Sequence, residues 1–261
     1  TVDLPASTLI EVSLSAAIRG TDNQRLATTY QFSFTTGVAY VLSALLNFNG
    51  DDESTTFTDV SGKTWTAYGN AQLDTSEKKF GSASGLFDGD GDYISTPAHA
   101  DFNISADDFT MEFFFKRGDT NPGYVCGQCA IVESTAVDQA HLFKADAYAR
   151  WYMDYNVGET RYTMNKLCTQ TYLGDTNWHH FAVVKQGNSL FGYIDGYSQW
   201  GTQDLTDMVL HEATTPFTIG RGGNSTYQQF NGRVDGFRFV KGTALYPNGT
   251  DFTPPTQEYT E

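Results

Sequence analysis

Positive charge is scarce in this chain: 16 Lys and Arg stand against 31 Asp and Glu over 261 residues, a formal net charge of −15. Gripping nucleic-acid phosphates or anionic lipid needs a basic face, so both partner classes are excluded. Long apolar runs are absent too, and nothing approaches the roughly 18 consecutive apolar residues of a membrane-spanning helix. Cysteine is confined to Cys126, Cys129 and Cys168, an odd count that permits one disulfide and one remaining thiol. Glutamate numbers nine, which leaves few residues from which to build a pair of catalytic carboxylates. Aromatic residues, by contrast, are plentiful, with 4 Trp, 15 Tyr and 19 Phe. A chain so supplied buries enough apolar surface to offset its conformational entropy, which excludes disorder.

Helix signals are nearly missing, and period-2 alternation takes their place. It is plain in Phe109–Phe115, His180–Lys185, Phe191–Ile194 and Val234–Val240. Turn dipeptides such as Asp88-Gly89, Asp195-Gly196 and Asn231-Gly232 lie between or beside these runs. Many short strands separated by such turns predict an all-β fold of two antiparallel sheets whose alternate residues fill a wide aromatic core.

A seam falls near Gly37. Before it, Leu9-Ile10-Glu11-Val12-Ser13-Leu14 and Tyr30-x-Phe32-x-Phe34-Thr35-Thr36-Gly37 read as strands. This stretch resembles the last third of a bacterial Ig-like domain, giving a partial segment over 1–37 and a main domain over 38–261. A whole Ig-like sandwich needs about 100 residues and seven strands, and a few strands with an apolar face do not stand alone in water. Two outcomes are open: upstream strands have been removed, or a neighbouring copy supplies them by strand complementation. In the second case the pairing side chains are Leu9, Val12, Leu14, Tyr30, Phe32 and Phe34. A head-to-tail interface of that kind that does not close makes a filament.

Beyond the seam the blocks follow in order: Leu45–Gly50, Gly85–Ile94, Asp108–Phe113, Trp178–Ala182, Tyr193–Gly196, Phe217–Gly220, Phe230–Arg238, Gly242–Tyr246 and Asp251–Thr256. Together they resemble a laminin-G-like, concanavalin-type jelly roll of the version common in phage structural proteins and secreted bacterial proteins. Phe114 stands where that family usually has Trp, and Gly236 where it commonly has Glu. The resemblance explains Trp178-His179-His180 as packing, and the sparse, disulfide-capable cysteines with three Asn-x-Ser/Thr sequons fit an extracellular or virion-surface location.

The same fold hosts glucanases, whose retaining members carry two carboxylates about 5–5.5 Å apart. Glu112 lies on a strand with no carboxylate two or four residues on, so catalysis is not expected. Aspartate outnumbers glutamate 22 to 9, and Asp88-Gly89-Asp90-Gly91-Asp92 gathers three short carboxylates, the hard oxygen donors that calcium takes. Turn propensity explains the same residues without a metal. By resemblance to the family's structural calcium site, Asp235, Asn49 and Gly50 join Asp88, Asp90 and Asp92 as candidate ligands of Ca2+. Sugar stacking is the other candidate chemistry, with Tyr148, Trp151, Tyr152, Tyr155, Trp200 and Tyr227 as contacts if they stand at loop tips. Asn103, Asn224 and Asn248 head glycosylation sequons. Cys126-Gly-Gln-Cys129 has redox or zinc spacing, but no helix start follows it and no second pair exists. A loop pinned by a disulfide to Cys168 is expected instead. The resulting reading is a non-enzymatic structural subunit that self-associates into a fibre or virion appendage. A glycan-binding adhesion module is the alternative.

Overall fold

The computed structural model describes residues 9–14, 30–35, 40–105, 107–132, 135–168, 173–223 and 228–260. The chain divides into two compact units, Thr1–Tyr40 and Val41–Glu261. In the first, β1 (Leu9–Leu14) and β2 (Tyr30–Thr35) form an antiparallel ladder running from Leu9 opposite Thr35 to Leu14 opposite Tyr30. Leu9, Val12, Leu14, Tyr30, Phe32 and Phe34 therefore lie on paired strands, and their side chains fall outside the described residues.

The second unit opens with β3 (Val41–Leu46), β4 (Thr66–Tyr68), β5 (Gln72–Asp74), β6 (Ser84–Asp88) and β7 (Tyr93–Thr96). Longer strands follow: β8 (Phe109–Arg117), β9 (Gly123–Val132), β10 (Thr135–Ala145), β11 (Ala149–Val157), β12 (Thr160–Cys168) and β13 (Trp178–Gln186). The last six are β14 (Ser189–Ile194), β15 (Tyr197–Ser198), β16 (Gln203–Asp204), β17 (Val209–Leu210), β18 (Phe217–Ile219) and β19 (Asn231–Lys241). They build two antiparallel sheets in a jelly-roll sandwich. The eight-stranded sheet runs β12-β11-β10-β9-β18-β7-β4 with β17 beside β11. The nine-stranded sheet runs β15-β14-β13-β8-β19-β6-β5, with β16 on β14 and β3 sharing an edge of β19 with β6.

Alternation sends one side chain in two between the sheets. Phe113 and Phe181 of the nine-stranded sheet meet Phe143 of the other at ring separations of 5.2 and 4.1 Å, and Phe217 meets Phe237 at 5.6 Å. The nine-stranded sheet is covered on its second face as well, since Phe109–Phe115 are all buried. The chain after β19 crosses that face: Tyr246 and Phe252 pack on Ala182, Val184, Phe191 and Tyr193, and Tyr259 packs on Leu45 and Phe114.

That cover explains a polar cluster which β8 would otherwise leave in water. Glu112 is fully buried and accepts from Arg238 Nε and Nη2 at 2.9 and 2.6 Å, His180 Nε2 at 3.0 Å, and the Tyr246 and Tyr259 hydroxyls at 2.8 and 3.2 Å. Burial alone would raise its pKa. The His180 and Arg238 bonds outweigh burial and hold it below the usual carboxylate value. The carboxylate fastens the tail to the sheet and has no face turned to a substrate.

Candidate aromatic cleft on the eight-stranded sheet

The outer face of the eight-stranded sheet carries a shaped aromatic surface at β4 and β7. β4 and β7 pair Thr66 with Ser95 and Tyr68 with Tyr93, and Ala67 and Ile94 turn to the sandwich interior. The Tyr68 and Tyr93 rings stack at 4.3 Å and 4° on the outer face. After β18 the chain doubles back through Gly220-Arg221-Gly222-Gly223. Gly220 has φ +97°, where a Cβ would lie 2.5 Å from Phe87 and 2.9 Å from the Asp92 carbonyl oxygen, and a Cβ at Gly223 would lie 1.8 Å from the Cys129 carbonyl oxygen. Only glycine fits such close approaches. The Thr218 hydroxyl, shared between the carbonyls of Gly127 and Arg221 at 3.0 and 2.9 Å, accepts the Gly223 N–H at 2.9 Å.

This turn lays the Arg221 guanidinium over Tyr93, 3.3 Å from the ring centroid. Two flat groups cannot share one face of a ring at these separations, so Tyr68 and Arg221 sandwich Tyr93. Beside the stack lies a cleft of about 160 Å3 lined by Tyr68, Tyr93, Ser95, Thr215, Thr218 and Arg221, among others. A cavity of ~150 Å3 holds a benzene-sized ring. Tyr68 is 42% exposed at its mouth. Two buried polar atoms of the lining, Thr215 Oγ1 and Arg221 Nε, have no hydrogen-bond partner, an unusual condition for buried groups. Burial lowers the Arg221 pKa, opposed chiefly by Tyr93 and Tyr68.

The sequence did not single out this cleft. Its one readable trace is the alternation Tyr93-Ile94-Ser95-Thr96, which turns Tyr93 and Ser95 one way; the pairing with Tyr68 across β4 depends on register. The sugar-contact residues expected from sequence do not converge. Trp151 is 0% exposed and packs against Phe181 at 5.9 Å, which removes it as a surface contact. Trp200 packs against the core over Gly192. Tyr155 is half-buried and stacks on exposed Tyr162 at 5.6 Å, Tyr152 is half-buried elsewhere along β11, and Tyr148 stands in the β10–β11 turn at 36% exposure. Tyr227 lies outside the described residues.

The candidate calcium ligands separate into two places. Asn231 pairs with Asp88, and Asp235 lies four residues further along β19, about 13 Å at the usual strand rise. Ligands of one ion sit at about 2.3–2.6 Å from it, so the two groups cannot share an ion. In the Asp88–Asp92 turn, Asp92 accepts the Asn70 and Asp88 N–H groups, and Asp88 accepts the Asp90 N–H at 2.7 Å. At the other place Asp235 is 1% exposed. One oxygen accepts from Lys79 and Phe80 N–H at 2.8 and 3.0 Å, and Oδ1 has no partner. Burial pushes its pKa up to about 7, with the Glu258 carboxylate adding to the effect. Asn49 reaches the same region, donating to Glu258 and accepting the Ser82 N–H at 2.6 Å, and Gly50 lies beside Ser82. An orphaned carboxylate oxygen near a second acid fits a cation at Asp235, beside Asn49 and Gly50; in the turn, burial and the neighbouring Asp88 carboxylate raise the Asp92 pKa. Among the described residues no three His, Cys, Asp or Glu side chains gather as a metal site.

Cys126, Cys129 and Cys168 are buried and form no disulfide, contrary to the expected pinned loop. Three residues apart on one strand, Cys126 and Cys129 face opposite sides of β9: the first joins the sandwich core, the second borders the Tyr68–Arg221 cleft. That geometry also denies them a shared metal. Of the sequons, Asn103 is half-buried and donates to Glu212 at 3.1 Å, Asn248 is exposed at φ +68°, and Asn224 lies outside the described residues. Among the described residues no helix is long and apolar enough to cross a membrane.

Residues 88–247 match a laminin-G-type family model described as the Concanavalin A-like lectin/glucanases superfamily. No curated protein matches the chain. Among solved structures, domain 4 of AbnA, a GH43 extracellular arabinanase from Geobacillus stearothermophilus in complex with arabinotriose, superposes with TM-score 0.56 at 15% identity, covering 81% of this chain and 97% of that one. The ligand binding domain of botulinum neurotoxin serotype D in complex with N-acetylneuraminic acid gives TM-score 0.54 at 12% identity, covering 80% of this chain and 49% of that one. The serotype G binding domain gives 0.53 at 11%, covering 78% and 48%. The chain thus spans about half the length of the toxin fragments. At these identities the likeness is one of fold alone, but the family model spans more than half the chain, and the protein belongs to the Concanavalin A-like lectin/glucanases superfamily.

Proposed function

We propose that the protein is a non-enzymatic, extracellular carbohydrate-binding module that seats a sugar ring beside the Tyr68–Tyr93–Arg221 stack. The observation that carries this reading is the open cleft itself: an exposed aromatic edge next to buried polar atoms that lack partners. Sugar rings offer apolar C–H faces to aromatics and hydroxyls to polar groups, and pockets of this mixed lining are the usual small-ligand sites. Two fold neighbours were crystallised with saccharides, which is consistent with sugar binding on this scaffold. The burial and full pairing of Glu112 support the non-enzymatic part. A glycan array probed with wild type and Tyr68→Ala tests the reading: hits that fade in the variant are expected, and hits that persist unchanged would place the site elsewhere.

Calcium is proposed at Asp235, with Asn49, Gly50 and Glu258 nearby, as a structural ion that would neutralise the buried acid. A melting temperature indifferent to excess chelator would remove it. The reading as a self-associating fibre or virion subunit draws support from β1 and β2, since a two-stranded ladder is marginal by itself in water. Negative-stain imaging decides it, a monodisperse monomer counting against assembly.

A further inference from the structure

Resting on the glycan-binding reading, we propose that the cleft selects acidic saccharides, those carrying a carboxylate on the sugar ring, and that Arg221 is the residue that receives that carboxylate. Arg221 is the only ionised group in the lining, and none of the lining residues is acidic. No carboxylate stands within ion-pair distance of it among the described residues, although the chain carries 31 acids against 16 bases. Every other half-buried or buried arginine of the second unit has found an acceptor. Arg117 bonds the carbonyls of Asp146, Leu173 and Asn121, Arg150 pairs with Asp146, Arg233 with Asp74, and Arg238 with Glu112. Arg221 has the Tyr93 face instead, and its Nε is buried without an acceptor.

A guanidinium held 3.3 Å over a ring centroid is restrained before any ligand arrives. The Tyr93 ring covers one side of it, and its fork of N–H donors matches the two oxygens of a carboxylate. The Gly220–Gly223 turn, locked by Thr218, holds the guanidinium at the cleft. Thr215 Oγ1 supplies a second polar atom without a partner on the same lining. A neutral sugar would leave the arginine edge unmatched, and a carboxylate completes it.

The test is an array of matched glycan pairs, uronates beside their methyl esters and sialylated beside desialylated chains, read with wild type, Tyr68→Ala, Arg221→Gln and Arg221→Lys. The acidic member of a pair is expected to bind about ten- to hundredfold more tightly. Arg221→Gln should erase that difference while leaving the thermal transition in place, and Arg221→Lys should restore only part of it. Equal binding within pairs, lost in Tyr68→Ala, would overturn the acidic selectivity and leave the sugar cleft standing. An array blank for every glycan would overturn both.

Discussion

Replacing Asp235 by Asn should stabilise the protein at neutral pH, the opposite of what loss of a buried hydrogen-bonded acid usually does. The side chain is 1% exposed, and its pKa moves from 3.8 up to about 7 because burial disfavours the charge, against partial relief from the Phe80 and Lys79 N–H groups. An acid whose folded pKa is raised binds its proton more tightly in the native state. Stability therefore falls as pH rises from about 4 through about 7 and is flat above. Three units at about 1.4 kcal/mol each set an upper bound of about 4 kcal/mol on the cost of the charge. In the D235N variant the amide oxygen keeps the Lys79 and Phe80 bonds, and the uncharged amide removes the repulsion from Glu258. Denaturant midpoints in chelator should coincide for wild type and D235N near about pH 4 and diverge by up to about 4 kcal/mol in favour of D235N near about pH 8. Millimolar calcium should then raise the wild type and leave D235N unmoved. A variant less stable at both pH values would refute the argument, because it would show the carboxylate to be satisfied as a charge.

His141 gives the opposite slope. Packed among Trp151, Phe217 and Phe239 with both ring nitrogens unpartnered, it is held neutral, its pKa pushed by burial from 6.5 down to about 3. The stability tied to its neutral form is complete above the unfolded pKa and drains away as pH falls from 6.5 toward 3, by at most about 5 kcal/mol. His141→Leu should therefore flatten the acid limb of a stability–pH profile, most visibly in the D235N background; an unchanged limb would contradict it. Tyr246→Phe removes a 2.8 Å donor from buried Glu112 and should cost about 1–3 kcal/mol, read by urea unfolding, with faster proteolysis within residues 242–260. Gly236 sits at φ +56° in the bulge of β19, and Gly236→Ala should cost about 1–2 kcal/mol for the left-handed backbone alone, read the same way.

The strands and their two-sheet arrangement were legible because period-2 alternation and turn dipeptides are local signals. The second cover of the nine-stranded sheet was not. In Phe109–Phe115 the alternate residues Thr110, Glu112 and Phe114 read as a solvent face, and only the returning tail makes it an interior. The bulge at Gly236 was equally hidden. It inserts one residue between Asp235, opposite Phe114, and Arg238, opposite Glu112, so both charged side chains share the tail-covered face. A glycine in the sequence marks a site where this can happen and says nothing of which side chains it re-aims. The calcium candidates fall in two places for a similar reason, since sequence order does not show that Asp88 of β6 pairs with Asn231, four residues before Asp235 on β19. Trp151 shows the same limit in the sugar candidates: alternation gives two faces and leaves open which of them is the core.

The net charge of −15 makes a further demand on an acidic ligand. At a distance such a protein repels an anion, and the attraction of Arg221 acts only at contact. Salt separates the two ranges. The Debye length is about 30 Å at 0.01 M and about 8 Å at 0.15 M, so added salt removes the long-range repulsion first. A desolvated guanidinium–carboxylate pair inside the cleft is screened much less. Affinity for an acidic saccharide should therefore hold steady or rise between those two ionic strengths, with the gain in the association rate. A conventional basic patch does the reverse, losing affinity as salt shields its attraction. Titrating an array hit at the two salt concentrations distinguishes them: a steep loss of affinity on adding salt would mean that diffuse attraction, not one pre-organised arginine, holds the ligand.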